Sequence, residues 1–132
     1  MITLDGHSLA LDHLTAIAYD HAAVALSESA RERVRAARVV VDDFAQHDAP
    51  TYGINTGFGS FAEVRIAHES LAELQVNLLR SHAAGVGEPL AIPVVRATMA
   101  LRANVLAKGF SGIRLETLDL PKWTSTLALA LL

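Results

Sequence analysis

Residues 52–59 read Tyr52-Gly53-Ile54-Asn55-Thr56-Gly57-Phe58-Gly59, a tyrosine at the mouth of a glycine-rich loop that lies between two segments of helical periodicity. Glycines at 53, 57 and 59 remove Cβ atoms and open positive φ values, so the backbone can turn tightly and come close to a ligand. A tyrosine in such a loop is poorly placed for a core. The residues alone leave two readings open, a phenol held for chemistry or a loop aromatic that anchors the turn.

Working outward, the flanks are helical. Upstream, Ala30, Val34, Ala37, Val41 and Phe44 form one apolar stripe, with Arg31, Arg35, Arg38 and Asp42 on other faces. Ser29 with Glu32 fits a capping box, Ser27 is the alternative N-cap, and the helix should stop before Pro50. Downstream, Leu71, Leu74, Leu78 and His82 share a helical face that should end near Gly85 in a left-handed terminus. A further helix is expected from about Pro93 to Gly109. Its apolar groups on nearly all sides, Val94, Ala97, Leu101 and Val105 on one and Val95, Met99 and Leu106 on another, predict deep burial.

Nearer the start, Leu11, Leu14, Ile17 and Ala18 predict a short helix ending near Asp20-His21, and residues 23–26 read as extended. Ile2-Thr3-Leu4 and Ser8-Leu9-Ala10 flank Asp5-Gly6, a pair suited to a tight turn, which predicts a short β-hairpin at the start. At the other end Pro121 interrupts any helix begun at 115–118, and residues 127–132 form an apolar terminus that calls for a covering partner. The pattern is that of a mainly α chain with one functional loop.

Bulk properties narrow the function classes. With 132 residues, 52% of them hydrophobic, the chain has the apolar content for one domain with a substantial core or a large buried interface. A net charge of -3 from 11 basic and 14 acidic residues, without a block of either sign, leaves no footprint for nucleic acid or an anionic membrane. No run approaches the roughly 20 apolar residues of a membrane span. The absence of cysteine excludes disulfides and thiolate metal sites and agrees with a cytoplasmic location. No HExxH motif or paired helical ligands occur among His7, His13, His21, His47 and His68, so no metal site is expected.

Three ordered stretches, Tyr52 to Gly59, Ser81-His82-Ala83-Ala84-Gly85 and Lys108-Gly109-Phe110-Ser111-Gly112-Ile113-Arg114, resemble the aromatic amino acid ammonia-lyases, and histidine ammonia-lyases most of all. The resemblance covers about residues 1–118 and implies an N-terminal helical domain of the fumarase/aspartase-like ammonia-lyase fold, followed by a divergent tail at 119–132. It implies that Tyr52 is the catalytic base that takes a proton from the substrate β-carbon. A phenol ordinarily titrates near about 10, so its surroundings must favour the phenolate. His82 would contact the substrate side chain, Gly59 would lie at the substrate, and Gly53 and Gly57 would shape a lid that excludes water. By residue type alone a lone histidine at this place is more often a structural, helix-terminal one than a ligand. Gly57 to Ala62 also satisfies a loose G-x-G-x-x-A pattern, but Asn55-Thr56 stands where a dinucleotide fold needs an apolar strand. Arg80, Arg102, Lys108 and Arg114 read as surface or interface charges, and Asn77 and Asn104 as polar contacts between helices.

The family makes its methylideneimidazolone electrophile from an Ala-Ser-Gly triad, and that triad does not occur here; Phe110-Ser111-Gly112 lacks the small first residue. The resemblance therefore implies an N-terminal fragment of a homotetrameric lyase, with L-histidine as its small-molecule substrate. Ammonia elimination needs an electron sink as well as a base, so this chain alone should be inactive. Two alternatives accompany this reading: a tyrosine ammonia-lyase or aminomutase fragment, and a non-catalytic helical assembly module.

Overall fold

The computed structural model describes residues 1–118. The elements are β1 (Ile2–Leu4), α1 (Leu11–Tyr19), β2 (Val24–Leu26), α2 (Glu28–Gln46), α3 (Leu71–His82) and α4 (Ile92–Leu106), with short 3₁₀ turns at Gly59–Phe61, His68–Ser70 and Leu115–Leu118. They fall into two compact units, residues 39–88 and the two flanking segments that surround them in sequence.

In the flanking unit the core is Leu4, Leu26, Ala30, Val34, Ala103, Leu106, Ala107 and Leu118. Ala30 of α2 and Ala103 of α4 are fully buried in it, and leucines from β1, β2 and the 115–118 turn fill the space around them. Arg33 ties three segments together: its Nη2 donates to the carbonyls of Asp5 at 2.6 Å and Ala107 at 3.3 Å. Gly109 has φ +81°, and a Cβ there would stand 2.6 Å from Arg33 Cβ, so both backbone conformation and space demand glycine.

The β-hairpin expected at the start does not form. β1 pairs instead with β2, in parallel, with Ile2 opposite Val24 and Leu4 opposite Leu26. The cause lies in the Asp5-Gly6 turn. Asp5 Oδ1 accepts from the amides of His7 and Ser8, each at 2.8 Å, which makes an Asx turn rather than a hairpin turn. Gly6, at φ +89°, donates its amide to Asn104 Oδ1 on α4 at 3.0 Å, leading the chain away from β1. The return strand then comes after α1, as the extended residues 23–26 suggested. Asn104 thus makes a polar contact, but to a turn, whereas Asn77 is exposed.

Helix boundaries follow the sequence closely at α1, and α2 stops before Pro50. Ser27, rather than Ser29, is the N-cap of α2: its Oγ accepts the Ala30 amide at 3.1 Å. The left-handed terminus expected at Gly85 is absent. α3 ends on Ala83, whose amide donates to the Leu79 carbonyl, and the positive φ falls later, at Gly87. α4 is not buried on all sides either. Ala100, Ala103 and Leu106 are buried, while Leu101 and Val105 stand about half exposed, because α1 and the core cover only one flank of the helix. The apolar tail at 127–132 lies outside the described residues.

Candidate active site

Tyr52 and His82, the two residues expected to carry the chemistry, both belong to the unit of residues 39–88. The Tyr52 loop is a built structure. The Ile54 and Asn55 amides donate to the Thr51 carbonyl at 3.1 and 3.2 Å, winding one tight turn in which Gly53 takes φ +76°. Asn55 is 1% exposed and holds that turn with its whole side chain. Its Oδ1 accepts the Thr51 amide at 2.6 Å, and its Nδ2 faces the carbonyls of Phe44, His47 and Ala49 at 3.3, 3.0 and 3.0 Å. These carbonyls follow or end α2, where helical partners run out, so Asn55 closes the helix terminus and anchors the tyrosine turn in one step.

The second half of the loop is fastened to residues 64–66. Thr56 forms an antiparallel bridge with Arg65, the Gly57 amide donates to the Val64 carbonyl at 3.1 Å, and the Ile66 amide donates to the Asn55 carbonyl at 2.8 Å. The glycines therefore differ in purpose. Gly53 and Gly59 occupy positive φ with open space where a Cβ would be. Gly57 does not adopt positive φ, contrary to the expectation for all three, and is required by packing: a Cβ there would lie 2.6 Å from Phe61 Cβ and 3.0 Å from its carbonyl oxygen.

On this frame the Tyr52 side chain is 64% exposed, its ring edge-on to Phe58 at 6.1 Å between centroids. An accessible phenol on a fixed turn can meet a ligand in a defined direction, which a buried anchoring aromatic cannot. His82 is exposed in the last turn of α3, continuing the face of Leu71, Leu74 and Leu78; its Nδ1 lies 2.9 Å from Ser81 Oγ and 2.9 Å from the Leu78 carbonyl.

Asn55 is the residue of this loop that the sequence does not single out: a polar residue between glycines shows locally only that no apolar strand precedes Gly57. The five other histidines are exposed, and among the described residues no cluster of His, Asp and Glu could hold a metal ion and no helix is long and apolar enough to cross a membrane.

The profile of the aromatic amino acid lyases matches residues 9–123. The chain belongs to that family. Among curated members, it is 56% identical over 119 residues to the histidine ammonia-lyase of Myxococcus xanthus, covering 90% of the chain and 23% of that protein. It is 48% identical over 118 residues to that of Caldanaerobacter subterraneus subsp. tengcongensis, covering 89% of the chain and 23% of that protein. Among solved structures, the histidine ammonia-lyase of Trypanosoma cruzi superposes with a TM-score of 0.81 at 49% identity, over 89% of this chain and 23% of its own. A tyrosine aminomutase from Streptomyces globisporus superposes with a TM-score of 0.85 at 32% identity, over 96% and 24%. The mainly α fold with its small two-stranded sheet is thus the aromatic lyase fold, and by family this is an ammonia-lyase sequence. It spans about a quarter of the length of these relatives.

The family's methylideneimidazolone does not fit the residues present. The single Ser-Gly pair, Ser111-Gly112, follows the bulky Phe110. It is engaged in a turn where Ser111 Oγ accepts the Ile113 amide at 3.3 Å and the Gly112 carbonyl accepts from Arg38 at 3.3 Å.

Proposed function

We propose that this chain supplies the base-bearing loop and the ring-recognition helix of a histidine ammonia-lyase, which converts L-histidine to urocanate and ammonia without oxidation. The observation that carries this reading is the 47–56% identity to histidine ammonia-lyases across about nine-tenths of the chain. Among the solved neighbours, 49% identity to a histidine ammonia-lyase against 32% to a tyrosine aminomutase favours the imidazole substrate.

In this reading Tyr52, as phenolate, takes the β-proton, and the Asn55 frame sets its direction. Gly53 and Gly57 shape the loop as a lid, Gly59 lies against the substrate, and His82 meets the substrate ring. The electron sink that elimination requires is not furnished by these residues, so the chain alone is inactive and works only with the remainder of a longer lyase. The same reading places the assembled enzyme in the cytoplasm as a homotetramer.

Adding a C-terminal part of a histidine ammonia-lyase to the purified chain and following urocanate absorbance tests this directly. Turnover of L-tyrosine but not L-histidine would favour the aminomutase-like reading, for which the broader 96% coverage by the tyrosine aminomutase is the supporting observation. Assembly without turnover of either would favour a non-catalytic module.

A further inference from the structure

We propose that Ser81 is a positioning residue that fixes the tautomer of His82, placing the ring proton on Nδ1 and presenting Nε2 as a bare hydrogen-bond acceptor. The heavy-atom positions carry the argument. His82 Nδ1 lies 2.9 Å from the Leu78 carbonyl, an acceptor with no proton to give, so a bare Nδ1 would set two lone pairs against each other. Ser81 Oγ lies 2.9 Å from the same carbonyl and 2.9 Å from Nδ1. Its single proton satisfies the carbonyl, which leaves its lone pairs to receive the proton on Nδ1. One arrangement meets all three contacts: Ser81 Oγ–H donates to Leu78 O, and Nδ1–H is shared between Leu78 O and Ser81 Oγ. The hydrogen bond made by one ring nitrogen decides the role of the other. No hydrogen bond or ion pair within the described residues occupies Nε2, and the residue is exposed in the last turn of α3.

The functional consequence rests on the reading of His82 as the residue that meets the substrate ring. With Nε2 bare, the group it recognises must bring a proton, such as a ring N–H. The tautomer itself stands on geometry alone.

Long-range proton–nitrogen correlation NMR on the ¹⁵N-labelled full chain, at a pH where the ring is neutral, tests it. We expect His82 to carry its proton on Nδ1 in the majority form, against the Nε2–H form that an unconstrained imidazole prefers. Ser81→Ala should lower the Nδ1–H to Nε2–H ratio by about two- to tenfold, the equivalent of one ordinary hydrogen bond. Ser81→Thr, which keeps the hydroxyl, should hold it. An Nε2–H majority in the parent chain, a ratio unmoved by Ser81→Ala, or an equal loss in Ser81→Thr would each overturn the proposal. The readout needs no turnover, so a wrong tautomer leaves the lyase reading intact, and a failed reconstitution leaves the tautomer intact.

Discussion

Asn55 and Thr51 clasp each other twice: Asn55 Oδ1 accepts the Thr51 amide at 2.6 Å, and the Asn55 amide donates to the Thr51 carbonyl at 3.2 Å. The residue beside Tyr52 therefore has both backbone polar groups held by one buried side chain and its own main chain. The exposed phenol is thus held from below, by a side chain that is itself buried.

Breaking that clasp should loosen the loop before anything else. Asn55→Ala leaves the Thr51 amide and at least two carbonyls without their partner, and each unsatisfied buried group costs about 1–3 kcal/mol. A net loss of roughly 2–4 kcal/mol in the local opening energy is expected, read as faster hydrogen exchange at the Thr51 and Ile66 amides. Asn55→Asp should be at least as damaging, since a carboxylate would face the carbonyls of Phe44, His47 and Ala49 with nothing to donate. Unchanged protection in both variants would remove Asn55 from its assigned role.

Two glycines of the loop, Gly53 and Gly57, predict different penalties for the same substitution. Gly53→Ala meets open space and incurs only the left-handed backbone cost, about 1–2 kcal/mol. Gly57→Ala drives a methyl against the Cβ and carbonyl of Phe61, so it should cost more. Trimming Phe61 to alanine should not rescue it, because those two atoms remain. Chemical denaturation of the four proteins checks the order, and a full rescue by Phe61→Ala would show the clash to be elsewhere.

Asp5 gives a pH signature. Hydrogen bonds from the Ser8 amide first and the His7 amide second hold its carboxyl down from 3.8 to about 2. Because the folded value is depressed, its stabilising contribution is complete above the unfolded value and disappears as pH falls from near 3.8 through about 2. An NMR titration should place the Asp5 midpoint near 2, and a midpoint near 3.8 would mean that the Asx turn does not persist in solution.

Ser27→Ala should destabilise the chain by about 1 kcal/mol through loss of the α2 N-cap, while Ser29→Ala should change little. Equal effects in thermal or urea unfolding would contradict the assignment of the cap to Ser27.

That cap shows where the sequence was legible and where it was not. Apolar spacing located the four α-helices among the described residues, because the 3.6-residue period survives whatever the helix packs against. It could not choose between Ser27 and Ser29, which differ only in where the first turn begins. Nor could it see that Asp5-Gly6 would be taken up by His7, Ser8 and Asn104, since the last of these contacts joins residues 98 positions apart. The same holds at the site. Tyr52 and His82 stood out through family motifs, whereas Asn55 acts through carbonyls that local pattern cannot assign to it.

The most direct test is urocanate formation from L-histidine by the chain alone, by the chain with a supplied C-terminal part, and by that mixture carrying Tyr52→Phe. No product is expected in the first, clear turnover in the second, and loss of that turnover by several orders of magnitude in the third. Turnover by the chain alone, or a reconstituted enzyme indifferent to Tyr52→Phe, would contradict it.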